Sequence, residues 1–191
     1  FFCHYLFLLS PCAWVSAVTG TQLQFYDIVA SWPGTVHDSR IFDNARVRVL
    51  YEERRVQGVL LGDDGYACQP FLMTPLADPG PAGTPRGRYN KAHIKTRNTV
   101  EGAFGVWKRR FPCLDMGLQH KPEQTVLIVT ACAALHNLGC LMKEPQPPHH
   151  HHVPADTPAS TRPVYLPPRD AVNDSLSGMQ ARQVLIEKSF T

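Results

Sequence analysis

The chain has 191 residues, 43% hydrophobic and 18% charged, enough for one domain with a buried core and too few for two full ones. A formal net charge of +3 excludes a histone-like polycation. Seventeen prolines and nine histidines are unevenly spread, which sets part of the length apart as tail.

Residues 1–18 (FFCHYLFLLSPCAWVSAV) are apolar and aromatic, interrupted by Pro11 and preceded by no basic leader, which argues against a cleaved signal peptide. The run is too short and too broken to span a bilayer. Residues 1–13 therefore read as an unmatched apolar start, with a secreted protein as the minor alternative. Trp14–Val18 and Gln22–Ala30 are β-rich and separated by Thr19-Gly20-Thr21, which predicts a hairpin. Trp32-Pro33-Gly34 ends it. Residues 35–48 read as a loop entering a short helix that Asp38 or Ser39 can cap. Val59-Leu60-Leu61, closed by Gly62, suits a buried central strand, and Asp63, Asp64, Gly65 and Tyr66 follow it.

The Pro/Gly-rich residues 78–87 have no periodicity and predict a loop. Val100, Ala103, Phe104, Trp107 and Phe111 recur at helical spacing, so residues 94–111 predict an amphipathic helix. Residues 122–142 are nearly all apolar and predict a helix buried on most sides, a core helix rather than a membrane span because His136, Asn137 and two threonines interrupt it. Residues 143–169 read as a disordered Pro/His-rich linker, with His149–His152 taken as a repeat tract rather than a metal site, and residues 170–191 as a C-terminal helix. The six cysteines (Cys3, Cys12, Cys68, Cys113, Cys132, Cys140) form no CxxC or zinc-type pattern, which fits a reducing compartment.

Charge is concentrated. From Arg86 to Arg110 there are eight Lys/Arg (Arg86, Arg88, Lys91, Lys95, Arg97, Lys108, Arg109, Arg110) against Glu101 alone, a balance of +7 where the remaining residues sum to −4. Such a block is the footprint of a phosphate-binding face, or a solvated helix surface. Asp63 at a strand end, Asp38 in a loop after a strand and Glu101 on a helix inside the basic block are the residue types an oxygen-ligated Mg²⁺ or Mn²⁺ site requires. Each has a plainer reading. Asp63 can serve a turn, Asp38 a helix cap, and Glu101 can pair with Arg97 at i−4. His37, His93 and His136 read as structural or surface groups.

The segments WPGTVHDSRIF (32–42), LLGDDGY (60–66), FLMTPL (71–76), RYNKAHIKTRNTVEGAFGVWKRRFPCL (88–114) and ACAALHNL (131–138) resemble successive blocks of the PIF/Harbinger transposase superfamily. The likeness covers residues 14–142, in the family's order, with the domesticated Harbinger-derived nucleases as nearest analogue. It implies an α/β, RNase H-like fold, a DDE triad, Mg²⁺ or Mn²⁺ as cofactor, and hydrolysis of DNA phosphodiesters. Asp63 matches the second catalytic Asp and Glu101 the catalytic Glu, with 37 residues between them. Asp38 matches an acidic position assigned to metal binding. Arg88, Lys91, Lys95, Arg97, Lys108, Arg109 and Arg110 are then the DNA contacts.

The family's first catalytic Asp lies on the first sheet strand, upstream of Trp14, and residues 1–26 contain no Asp or Glu. The chain thus reads as amino-terminally incomplete, with that strand missing. The resemblance further implies a nuclear, secondarily cytoplasmic, protein with a separate Myb-like or helix-turn-helix DNA-binding partner and no membrane. The opposing reading is a non-catalytic DNA-binding or protein-interaction remnant.

Overall fold

A computed structural model describes residues 2–10, 13–32, 42–43, 45–116, 118, 120–148 and 175–190. The architecture is mixed α/β. Strands β1 (Phe2–Ser10), β2 (Ala13–Thr19) and β3 (Phe25–Trp32) form an antiparallel meander. β4 (Leu60–Leu61) runs parallel to β1, and β5 (Leu72–Met73) runs parallel to β4, giving the sheet order β3-β2-β1-β4-β5.

The chain start differs from its sequence reading. Residues 2–10, set aside as unmatched, form β1 between β2 and β4, with Phe2 level with Leu60 and Cys3 with Leu61. The place expected to lack a strand is therefore filled. A run of aromatic and aliphatic residues suits a strand with neighbours on both sides.

Helix α1 (Arg46–Glu52) buries Val47 and Tyr51. Helix α2 spans Pro85–Arg110, nine residues longer at its start than its hydrophobic period predicts. Thr84 caps it by accepting from the Gly87 amide at 3.1 Å, and Pro85 opens the first turn. The added turns are anchored by buried Tyr89 and His93, polar aromatics that hydrophobic periodicity discounts. Further along, Val100, Ala103, Phe104 and Trp107 enter the core, where Phe25 meets Trp107 at 5.0 Å and Phe104 at 5.5 Å between ring centroids. A 3₁₀ turn (Pro112–Leu114) ends this limb.

Helix α3 (Pro122–Leu141) packs on β3 through Val129, Cys132, Ala133 and His136. Its other side corrects the expectation of burial on most sides: Leu127, Leu135, Leu138 and Leu141 are exposed. Apolar composition all round allows burial without enforcing it. By length and composition alone this helix could cross a membrane. Helix α4 (Leu176–Ser189) is capped by Ser175 and pressed against the chain at Cys68, where a side chain on Gly178 would lie 2.3 Å from the Cys68 carbonyl oxygen. Cys68, Cys113, Cys132 and Cys140 are free thiols.

Candidate active site

The site begins where β4 runs out. Leu60 and Leu61 are buried, and the ladder to β5 is completed by Leu60 N–H donating to the Phe71 carbonyl (2.7 Å) and Gly62 N–H to the Met73 carbonyl (2.9 Å). Asp63 is the first residue beyond that ladder. Its Oδ1 accepts the Gly65 amide at 3.0 Å, turning the chain so that Tyr66 re-enters the core. Burial raises the Asp63 carboxyl above its ordinary range, and the Gly65 amide and the Arg97 charge pull it part of the way back. Asp64 points to solvent.

Helix α2 is fastened at the same spot. The Met73 carbonyl that receives Gly62 N–H also lies 3.1 Å from His93 Nε2. A carbonyl only accepts, so Nε2 carries the proton, and Nδ1 is buried without a partner. Burial holds this imidazole below its usual pKa, so it stays neutral. One turn further along, Arg97 stands on the same face, with Nη2 3.6 Å from Glu101 Oε1. Its charge also acts on Asp63. Arg97 is thus paired with Glu101 and contributes positive potential at Asp63.

The plainer readings of both acids are realised here, a turn for Asp63 and an ion pair with Arg97 for Glu101. Asp38 and His37 lie outside the described residues, as does the His149–His152 tract. Strand β1, beside β4, contains no Asp or Glu. Among the described residues no group of three or more His, Cys, Asp or Glu is arranged to hold a metal ion. What is present, two hard carboxylate donors of which one is desolvated, fits Mg²⁺ or Mn²⁺ in kind.

Several residues that fasten the helices to the sheet, around this site and at its far edge, had no specific predicted contact. Asn90 grips the backbone of Leu76 with both ends of its amide, accepting from N–H at 2.7 Å and donating to C=O at 3.0 Å. Tyr89 donates to the Thr74 carbonyl at 2.8 Å, and buried Arg182 of α4 donates to the Thr74 hydroxyl at 3.0 Å. Asn137 makes the same two-ended grip on Phe25, at 2.8 and 2.7 Å, beside His136, whose Nε2 is 2.9 Å from the Leu23 carbonyl. The available signal was the presence of Asn and His in otherwise apolar or basic helices.

The basic block divides once its partners are known. Arg88 binds the carbonyls of Phe190 and Gly83, Arg110 that of His136, and Lys108 pairs with Asp115. Arg109 has a buried Nε. Lys91 and Lys95, one turn apart, are exposed on the solvent side of α2, as is Glu101. Several of the charges expected to meet DNA thus also hold the fold together.

The family model described as DDE superfamily endonuclease matches residues 11–137. A human protein named "Putative nuclease HARBI1" is 33% identical over 133 residues, covering 67% of this chain and 36% of that protein. Its Xenopus laevis namesake is 35% identical over 111 residues, 56% of this chain and 31% of its own length. Protein ALP1-like of Arabidopsis thaliana is 26% identical over 140 residues, 65% of this chain and 34% of its own. The chain spans about a third of the length of these curated relatives. No solved structure matches it.

Proposed function

From its membership of the DDE superfamily endonuclease family, as a Harbinger-derived nuclease-like domain, we propose that this chain is the metal-dependent, DNA-hydrolysing part of a nuclear nuclease. The observation that carries the reading is the placement of Asp63 just past β4 and of Glu101 on α2, a helix that His93 ties to the Met73 carbonyl beside that strand end, the two elements that the family pattern pairs. The sheet supports an RNase H-like assignment, since an antiparallel meander is continued by parallel β4 and β5 on the far side of β1.

Asp63 and Glu101 are the side chains to hold Mg²⁺ or Mn²⁺, with Asp38 as the third donor. When bound, such a cation stabilises charge on a phosphodiester and eases deprotonation of water. The protein's own share is positional. His93, neutral and tied to the Met73 carbonyl, fixes α2 against β5, the strand paired with β4. Asp63 is half-buried, so water screens its carboxylate less than that of exposed Glu101. Lys91 and Lys95, exposed on α2 before Glu101, supply positive charge for a DNA backbone. Hydrolysis adds water across the P–O bond, leaving a phosphate and a hydroxyl end.

One observation favours a second reading. β1 brings no carboxylate to the sheet position beside β4, and a site short of one acid binds metal more weakly and positions water less well. The chain would then hold DNA without cutting it. Incubation of supercoiled DNA with the purified chain and Mn²⁺ separates the two. Nicking that disappears in Asp63→Asn supports the nuclease, whereas salt-sensitive binding with no metal-dependent nicking supports the remnant.

A further inference from the structure

We propose that the outward face of α3 is an interface for a second copy of this chain, the two helices packing antiparallel about a twofold axis that passes between Ala131 and Ala134. It depends neither on the acid pair nor on a bound metal.

Leu127, Leu135, Leu138, Leu141 and Met142 are each at least 51% exposed. They recur at helical spacing on the side turned away from β3, with exposed Ala131 and Ala134 between them, and make an apolar stripe about 22 Å long. Single exposed leucines need no explanation, whereas a continuous stripe along one helix marks a contact surface.

A bilayer does not fit this face. The opposite side of α3 is fastened to the β3 edge, where Asn137 bonds both backbone groups of Phe25 and His136 Nε2 lies 2.9 Å from the Leu23 carbonyl. Drawing the helix into hydrocarbon would strip those groups of their partners. Residues 124–142 also contain no Lys or Arg, the residues by which a helix lying in a membrane surface holds the headgroups.

A second copy does fit, because the pattern complements itself. Set antiparallel with Leu127 of one copy level with Leu138 of the other, the helices bring Ala131 level with Ala134, and symmetry repeats each pairing. Short side chains at the axis let the two helices approach closely, and the leucines on either side close over the contact. The same register sets Glu123, exposed in the first turn of α3, beside Lys143 of the second copy, exposed just past the last turn. A parallel pair would instead oppose Glu123 to Glu123 and Lys143 to Lys143. Charge at the two ends therefore selects both the occupant and its direction.

Sedimentation equilibrium of the full chain over a range of concentrations should show a reversible dimer. Ala134→Lys, an exposed change that sets like charges against each other at the axis, should weaken association about a hundredfold with the far-ultraviolet circular dichroism unchanged. Leu138→Gln, also exposed, serves in its place should Ala134→Lys not fold. Glu123→Lys and Lys143→Glu should each weaken the dimer about fivefold, and the two together should restore it. A monomer at every concentration overturns the proposal, and so does a monomer that binds phosphatidylcholine vesicles through the same leucines, which would make a lipid surface the occupant. A dimer indifferent to Ala134→Lys and Leu138→Gln also overturns it, by placing the contact elsewhere. A dimer that Ala134→Lys breaks and the double charge exchange fails to restore overturns the antiparallel arrangement.

Discussion

The two edges of the sheet are closed by the same chemistry and serve different ends. At the β3 edge, His136 and Asn137 of α3 bond the Leu23 carbonyl and both backbone groups of Phe25. Just past the β5 edge, His93 and Asn90 of α2 bond the Met73 carbonyl and both backbone groups of Leu76. In each case an amide side chain completes the hydrogen bonds of an edge segment, and an imidazole, buried and neutral, donates through Nε2 with Nδ1 left bare. The difference lies in what is next door. Phe25 packs on Phe104 and Trp107, so the first clamp holds the core. Met73 also receives the Gly62 amide, next to Asp63, so the second clamp holds the candidate site. A shared device is structural or functional according to its neighbour.

Substitutions at the two edges should separate these roles, and the largest effect belongs to the core. Trp107→Ala, emptying a fully buried site behind Phe25, should cost about 3–5 kcal/mol in urea unfolding. Asn137→Ala comes next: it leaves the N–H and C=O of Phe25 unpaired in a partly buried place and should cost about 2–4 kcal/mol. A loss below about 0.5 kcal/mol would mean that water replaces the amide, and the first clamp would no longer count as structural.

Asn90→Ala should be milder, about 1–2 kcal/mol, because Tyr89, His93 and Arg182 still hold the same segment. Its proportionate effect on Mn²⁺ binding should nonetheless exceed that of Asn137→Ala. Equal effects on metal binding would erase the distinction between the edges.

Acid should loosen both edges together. Burial depresses the pKa of His93 and of His136, so the unfolded chain takes up protons below about pH 6.5 that the folded chain refuses. The stability from neutral imidazole is complete above that value and declines as pH falls toward the folded pKa values. Denaturant midpoints measured between pH 7.5 and 5 should decrease, and less steeply in His93→Gln, whose amide can still donate to the Met73 carbonyl. The smallest expected effect is at Asp63. Its raised pKa means that ionised Asp63 is a burden above the folded pKa, relieved as pH falls, so Asp63→Asn should slightly raise the melting temperature at pH 7 while abolishing any nicking. A lower melting temperature would mean that Asp63 serves the fold rather than a reaction.

Local pattern carried a good part of this molecule. The hairpin of β2 and β3, the short strand before Gly62 and the apolar helix from residue 122 were legible because turn residues and hydrophobic runs act over a few positions. Pairing of Glu101 with Arg97 was legible for the same reason, being a four-residue matter. β5 was missed because two residues are too few to show a period, and the first turns of α2 because Tyr89 and His93 are buried through hydrogen bonds rather than apolar surface.

What the amino-acid order determined by itself, then, is the set of local elements, the family to which their succession belongs, and the presence of acids at a strand end and on a basic helix. Only the tertiary structure decided that Phe2–Ser10 occupies the strand position beside β4, that α2 is tied through His93 to the Met73 carbonyl beside the end of β4, and that one side of the apolar helix meets solvent. These depend on contacts between residues far apart in the chain, such as Asn137 with Phe25 or His93 with Met73. Such contacts leave no periodic trace in the sequence, because either partner reads as an ordinary polar residue until the other is brought beside it.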